Sequence, residues 1–453
     1  MARAKKETAL TPEERLQAAL VPDWEWPYKL PKNWCWTTVG TICDGFQYGY
    51  TEKATFEKIG PHFIRITDIG DGIINDSGAP YCKIDSDLFI KYKINKDDIL
   101  IARMGSVGEN GLATHNIDGV FASYLIRIVP RSNAKYVCNF LQTNLYWGQI
   151  SEKAQGTTRL NVNANVLKNL IIPLPPLAEQ QRIVDRIKSL FAKLDEAKEK
   201  AQAVVDSFET RKAAILHKAF TGELTAKWRE EHGVGMDSWG KKSVGELCIS
   251  LKYGTAKKSD ASGNVVVLRM GNLQQGEIDW SDLAYSNDPD DIEKYKLFPG
   301  DVLFNRTNSA ALVGKTAIYR GEHPAIYAGY LIKLDYDHDK IIGDYLNYAL
   351  NTLDAKKYCN SVKTDGVNQS NVNAKKIGAY SFNVPSIPEQ EKIVSVIQKL
   401  LLKEQQSKEA AEAVLDQIDL MKKSILARAF RGELGTNDPS EESAVELLKR
   451  TIL

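Results

Sequence analysis

The chain has 453 residues and a mass of 50.6 kDa, room for two to four domains at about 100–200 residues each. Its 43% hydrophobic and 26% charged content excludes a disordered or fibrous protein. With 59 Lys+Arg against 58 Asp+Glu the net charge is +1, which excludes grip on a polyanion by bulk charge and leaves local basic clusters open.

Met1 to Lys6 is basic but runs into Glu7 and a polar stretch, not the apolar core of a signal peptide. No run of 18 apolar residues occurs, so no membrane span is expected. The six cysteines (Cys35, Cys43, Cys82, Cys138, Cys248 and Cys359) form no CxxC pair. A disulfide framework or zinc site is therefore not expected, and a reducing cytoplasm fits best.

After an N-terminal extension (1–30), residues 31–172 read as a first globular unit. Its expected strands are Phe63–Thr67, Ile99–Arg103 and Tyr124–Val129, followed by a helix over Tyr136–Ile150. Residues 173–224 read as one long helix, started by Pro175-Pro176 and stopped by Gly222. About 42 residues at 1.5 Å rise give roughly 60 Å. Ile183, Ile187, Leu190, Leu194, Ala197, Ala201, Val204 and Phe208 recur at alternating steps of four and three, the seam of a coiled coil. Residues 225–382 form a second globular unit, with strands at Val265–Met270, Val302–Arg306 and Leu331–Leu334 and a helix at Gly343–Leu353. A second long helix (383–434) carries its seam on Ile393, Ile397, Leu400, Ala411, Val414, Ile418, Met421 and Ile425, and a C-terminal tail (435–453) follows.

This order is a duplication. Residues 173–224 and 383–434 align at an offset of 210 without a gap, with 22 of 52 positions identical. Glu179-Gln180 matches Glu389-Gln390, and Ala219-Phe220-x-Gly222-Glu223-Leu224 matches Ala429-Phe430-x-Gly432-Glu433-Leu434. The globular units match less strictly: Tyr48-Gly49 with Tyr253-Gly254, Arg65 with Arg269, Asp98 and Arg103 with Asp301 and Arg306, Tyr124-Leu125-Ile126 with Tyr330-Leu331-Ile332, and Asn161–Ala164 with Asn371–Ala374. Their offset wanders from 203 to 210, as surface loops allow and a heptad does not. The fold class is therefore α+β: two similar mixed α/β domains separated by a pair of long helices. Each narrow stripe needs a partner. Antiparallel pairing of the two helices makes the whole pseudo-twofold, and a homodimer seam in trans is the alternative. Two readers at a fixed separation would suit a split site on duplex DNA, whose turns recur every 34 Å or so.

This doubled arrangement, with Pro175-Pro176-Leu177-Ala178-Glu179-Gln180-Gln181-Arg182-Ile183-Val184 and Ala219-Phe220-Thr221-Gly222-Glu223-Leu224-Thr225, resembles the DNA specificity subunit of type I restriction–modification systems. Leu30-Pro31-x-x-Trp34 and the tail from Asn437-Asp438-Pro439 to Leu448 add to the resemblance, which covers nearly the whole chain. It implies two target recognition domains, each reading half of a bipartite site on double-stranded DNA. The helices would set the spacing and dock two modification (methyltransferase) subunits. Those partners would carry S-adenosylmethionine and methylate adenine, and a restriction/translocase subunit could join. No cofactor is expected on this chain, which would be non-catalytic and cytoplasmic.

No Asn/Asp-Pro-Pro-Tyr/Phe tetrapeptide of an amino-methyltransferase occurs, and no HExxH or paired histidine spacing suggests a metal. Ser309 to Thr316 ends like a phosphate-binding loop but lacks its first glycine. The rivals are a coiled-coil scaffold that binds protein and an enzyme with an unrecognised site.

Sequence reading needs Arg, Lys, Asn and Gln on loops that reach base edges. Four corresponding sets qualify. The first is Tyr48, Tyr50, Thr51 and Lys53 with Tyr253, Lys257 and Lys258. The second is Arg65 and Asp68 with Arg269 and Asn272. The third is Arg103 and Ser106 with Arg306, Asn308 and Ser309. The fourth is Thr157, Thr158 and Arg159 with Asn368 and Gln369. Arg65/Arg269 and Arg103/Arg306 persist in both copies, as phosphate contacts or as ion pairs with Asp98/Asp301. Arg159 against Gln369, and Lys257-Lys258, differ between copies as base readers should. Tyr48 and Tyr253 divide evenly between packing and DNA contact, and the Asn161–Ala164 and Asn371–Ala374 repeats read as structural.

Overall fold

The computed structural model describes residues 11–154, 160–367, 369–434 and 437–452, in two compact units: Met1–Lys200 with Val414–Leu453, and Ala201–Ala413. In the first unit, helix α1 (Pro12–Ala19) precedes β1 (Cys35–Thr38), β2 (Cys43–Tyr48), β3 (His62–Ile64), β4 (Ile99–Ala102), β5 (Asn110–Leu112), β6 (Ile117–Phe121) and β7 (Leu125–Pro130). Helices α2 (Ala134–Phe140) and α3 (Asn144–Lys153), strand β8 (Ile171–Leu174) and the long helix α4 (Leu177–Asp206) follow. The main sheet runs β2-β7-β4-β5 and is extended by the short strands Gly72–Ile74 and Ile69–Gly70. A smaller sheet pairs β3 with β6 in parallel.

The central strand β4 shows why the layers form. All four of its residues are buried, and alternation sends them to opposite faces. Ile99 and Ile101 join Tyr136 and Phe140 of α2, while Leu100 and Ala102 join Ile64 and Phe121 of the smaller sheet. Strands β1 and β8, from the two ends of the domain, form a separate antiparallel pair with Cys35 opposite Leu174. The helix expected over Tyr136–Ile150 is two helices, because Thr143 ends one and caps the next: its Oγ1 donates to Phe140 O (2.7 Å) and accepts from Tyr146 N (3.2 Å).

The second unit repeats this plan. Helices α5 (Phe208–Phe220) and α6 (Ala226–Glu231) lead to β9 (Gly240–Ser243), β10 (Cys248–Tyr253), β11 (Val265–Leu268), β12 (Val302–Asn305), β13 (Thr316–Ile318), β14 (Ala325–Tyr327) and β15 (Leu331–Tyr336). Then come α7 (Gly343–Leu350), α8 (Leu353–Val362), β16 (Ser370–Asn371), β17 (Ser381–Val384) and the 44-residue α9 (Ile387–Phe430). The sheet order β10-β15-β12-β13 matches the first unit, as do the parallel pair β11–β14 and the separate antiparallel pair β9–β17. Val302 and Phe304 face α7, and Leu303 faces Leu268 and Tyr327.

The first long helix is interrupted where its duplicate is not. At Ser207 the side chain donates to Ala203 O (2.5 Å) and the helix resumes as α5, whereas Gln417 at the matching place leaves α9 continuous. Gly222 and Gly432 stop the helices in the left-handed region, at φ +83° and +75°. Within each unit the helical segments run antiparallel. In the first, Lys422 meets Asp195 (2.6 Å) and Lys198 meets Asp419 (3.8 Å); in the second, Arg211 meets Glu404 (2.5 Å) and Lys408 lies over Phe208.

Ile183, Ile187, Phe208, Ile393, Ile397 and Ile418 are buried on this seam, and Leu190, Leu194, Val204, Leu400 and Ile425 are half-buried. Val414 and Met421 are not on it: they are 41% and 46% exposed. Beyond Leu400 the inward positions are Glu404, Lys408, Ala411, Leu415, Ile418, Lys422 and Ile425, so the stripe passes through charged residues that apolar spacing alone cannot find. Glu404 is there because Arg211 pairs it, and the Lys408 and Lys422 stems lie along Phe208 and Phe191.

The extension and tail, set apart in the sequence, fold into the first unit. Ala19 packs with Ala444 and Leu448 of the C-terminal helix Ala444–Ile452. Tyr28 Oη donates to Phe430 O (3.0 Å) and Ala444 N to Asn33 O (2.9 Å).

Candidate nucleic-acid interface

The same constellation stands at the edge of each main sheet. Strand β2 ends at Tyr48, and the next residue must be glycine: a Cβ on Gly49 would lie 2.2 Å from Ala122 O and 2.3 Å from Phe121 O. Gly254 after β10 meets Tyr327 O at 2.1 Å and Ala328 O at 2.6 Å in the same way. The guanidinium of Arg103, just past β4, lies 4.8 Å from the centre of the Tyr48 ring, and that of Arg306, just past β12, lies 4.8 Å from the centre of the Tyr253 ring. The tyrosine hydroxyls accept from Ala164 N (3.1 Å) and Ala374 N (3.0 Å). Asn163 and Asn373 cap the short helices that start there, which accounts for the repeated Asn-Val-Asn-Ala.

Each of these arginines is pinned through its backbone. Arg103 N donates to Tyr124 O (2.9 Å) and its carbonyl accepts from Val162 N (2.9 Å); Arg306 makes the matching bonds with Tyr330 (3.0 Å) and Val372 (2.9 Å). Neither is the partner of Asp98 or Asp301. Those carboxylates pair with Arg127 (3.4 Å) and Lys333 (2.8 Å), and burial raises Asp98 above its ordinary value. Among the described residues the buried Nε atoms of Arg103 and Arg306 have no hydrogen-bond partner, though Arg306 Nη1 donates to Gly329 O (3.1 Å).

Arg65 and Arg269 differ between the copies. Arg65 grips Asp68 bidentately, Nε to Oδ2 and Nη2 to Oδ1 at 3.0 Å each, and its guanidinium lies over Phe56. That carboxylate raises the arginine above its ordinary value and neutralises much of its charge. Arg269 pairs instead with the exposed Asp282 (3.0 Å), while Asn272 takes only its backbone N–H.

Lys53, Lys258 and Ser106 are exposed. Lys257 is tied to Asp288 (2.6 Å) and Asp291 (3.4 Å), and Asp288 holds its ammonium above the ordinary value. Asn308 pairs across from Ser370 of β16, next to exposed Gln369, so the third and fourth sets meet in the second unit at a groove lined by Thr307, Thr364, Asp365, Gln369 and Asn371. Thr157, Thr158, Arg159 and Asn368 lie outside the described residues.

The sets passed over Tyr124, Tyr330 and Phe56, which are 53%, 48% and 76% exposed beside the arginines. The signal for the tyrosines was present, since Tyr124 and Tyr330 belong to a matched triplet of the duplication. The phosphate-loop match dissolves: Gly314 (φ +91°) packs on Cys359, and Thr316 starts a strand where a phosphate loop needs a helix. Among the described residues no group of three or more His, Cys, Asp or Glu is placed to hold a metal, and no helix is long and apolar enough to cross a membrane.

Two copies of one α/β domain, each presenting Arg and Tyr at the same sheet edge, make this an internally duplicated protein. The family model "Type I restriction modification DNA specificity domain" matches residues 37–205 and 236–413, and the chain belongs to that family. It is 26% identical to the type I restriction enzyme StySPI specificity subunit of Salmonella potsdam over 422 residues, and 26% identical to the EcoKI specificity subunit of Escherichia coli K12 over 426 residues. Each comparison covers 90% of both chains. The crystal structure of the HsdS subunit from Thermoanaerobacter tengcongensis shares the fold, with a TM-score of 0.63 and 20% identity over 90% of this chain and 100% of that one. The chain is a specificity subunit that recognises DNA sequence, and the protein-scaffold reading is set aside.

Proposed function

We propose that each recognition domain reads one half of a bipartite DNA target while the long helices set the distance between the halves and dock two modification subunits. Those subunits would hold S-adenosylmethionine and methylate adenine, a restriction/translocase subunit would add cleavage, and the assembly would work in the cytoplasm. The observation that carries this reading is the same Tyr–Arg edge built twice, once in each unit, at the same 4.8 Å. The charge balance supports dependence on partners. Residues 31–172 carry 15 basic and 13 acidic residues, and 237–382 carry 18 of each. Non-specific affinity comes from neutralised phosphates, so a near-neutral reader needs partners to hold the duplex.

Replacing residues 31–172 by the equivalent unit of another family member is expected to change one half-site in the methylation pattern of the assembled complex. A change in both halves, or in neither, refutes the modular reading. Inserting a short block at Gly222–Thr225 is expected to alter the spacing and leave both half-sites intact, and unchanged spacing counts against the ruler role.

A further inference from the structure

We propose that Arg103 with Tyr48 and Tyr124, and Arg306 with Tyr253 and Tyr330, are two phosphate anchors that hold the DNA backbone without reading sequence. This rests on the DNA-reading function above and assigns one part of each edge to positioning.

Three observations converge. Among the described residues Arg103 and Arg306 have no anionic partner, whereas Arg65, Arg127, Arg131, Arg182, Arg211, Arg229, Arg269 and Arg320 each pair with a carboxylate. Each has a buried Nε with no acceptor, as Arg127 and Arg269 also do, but Arg103 and Arg306 lack the carboxylate that neutralises those two, and a charged donor kept in that state is costly unless an anion arrives to complete it. Next, both guanidiniums are held in place, stacked on a tyrosine whose own hydroxyl is tied down and pinned through N–H and C=O at the sheet edge. Such preorganisation suits a fixed phosphate position. Finally, the exposed Tyr124 and Tyr330 are the residues whose carbonyls take the arginine's N–H in both copies, and a phenol is a phosphate donor that carries no base preference.

The contrast with neighbouring residues separates anchoring from reading. Immediately after the arginine, Met104-Gly105-Ser106 in one copy stands where Thr307-Asn308-Ser309 does in the other. The Tyr–Arg–Tyr set does not change. An arginine that read guanine would impose the same base at the same place in both halves.

The test uses the full chain assembled with its modification subunits. Duplexes carry the methylated sequence mapped for the wild type, or that sequence with single base pairs changed across each half. Arg103→Ala and Arg306→Ala are each expected to weaken binding to every duplex by a similar factor. Each should lower the slope of log affinity against log salt by about 0.9, and the double variant by about 1.8. Discrimination against changed base pairs should stay as in the wild type. Loss of discrimination at one base pair overturns the proposal in favour of base reading, and an unchanged salt slope overturns it in favour of packing. Arg103→Lys and Arg306→Lys keep the charge without the stacked fork, so they should retain the slope and lose affinity. Unaltered affinity there also overturns the anchor, even if the alanine variants fail to fold. A wild-type complex that shows no sequence preference would refute the DNA-reading function itself, and the anchor with it.

Discussion

At the start of α4, Glu179 is buried, and Arg182 reaches it from one turn away (2.5 Å) while also gripping Glu441 of the tail (2.7 Å). At the start of α9, Glu389 is buried too, but its oxygens take Arg229 Nη1 (2.7 Å), Thr225 Oγ1 (2.7 Å) and Trp239 Nε1 (2.9 Å) from the segment after α5. The neighbouring glutamines act alike in both units. Gln180 accepts from Asn133 N (3.1 Å) and donates to Pro175 O (3.0 Å), and Gln390 accepts from Ile342 N (3.0 Å) and donates to Pro385 O (2.9 Å). One scaffold is thus braced by different chain segments: the tail in the first unit and the connector in the second. The repeated Glu-Gln is a structural staple, and duplication preserved the need for a cation without preserving which residue supplies it.

Four measurements sharpen or break this comparison. Arg229→Ala strands a buried carboxylate and is expected to cost the second unit about 3–5 kcal/mol. Arg182→Ala, whose side chain is 39% exposed, should cost the first unit less. Unit-resolved hydrogen exchange under denaturant reads both, and equal losses would erase the distinction. Phe430→Ala removes a fully buried ring packed on Tyr136 and Phe140 and should cost about 3–5 kcal/mol. Its duplicate Phe220, only half-buried against Tyr345 and Phe382, should cost less in the same experiment.

Gly49→Ala and Gly254→Ala drive a methyl into a neighbouring backbone and should destabilise the two units alike, by about 1–3 kcal/mol. A loss in only one unit would mean that the matched edges differ in rigidity. The smallest effect concerns charges on the outer strand pair, where the order is reversed. Asp44 with Arg131 (2.5 Å) brace β2 in the first unit, and Lys252 with Asp335 (2.7 Å) bridge β10 and β15 in the second. Hydrogen bonds from Arg131 and Lys252 depress the two carboxyls below their ordinary value. A depressed carboxyl stabilises the folded state above its unfolded value and loses that contribution as pH falls through the folded one. Both pairs are largely solvated, so Asp44→Asn and Asp335→Asn should each remove less than about 1 kcal/mol at neutral pH, and progressively less as the pH falls through the folded carboxyl's value. Stability curves across pH read this directly.

Local signals in the chain were legible. Short continuous apolar runs located β4 and β12, the glycines stopped both long helices, and the heptad of the first helix held. The gap-free match at offset 210 announced the doubled architecture. The breaks at Thr143 and Ser207 escaped, because each hinges on one side chain bonding to backbone. The candidate edge was half legible. The duplication singled out Arg103/Arg306 and Tyr48/Tyr253, but Lys257 and Arg65 look as free in sequence as Arg103 does, and both are held by carboxylates.

By itself, then, the amino-acid sequence determined the duplication, the strand and helix content and the family, because periodicity, capping and repeats are properties of short or matched segments. Tertiary structure alone decided which arginines carry free charge, which polar residues sit inside the helix seam, and that both ends of the chain complete the first unit's core. Those outcomes depend on groups far apart in the chain, such as Asp44 with Arg131, 87 residues away, or Arg182 with Glu441, 259 residues away. No local pattern encodes such pairs, and only the folded backbone brings them within hydrogen-bond reach.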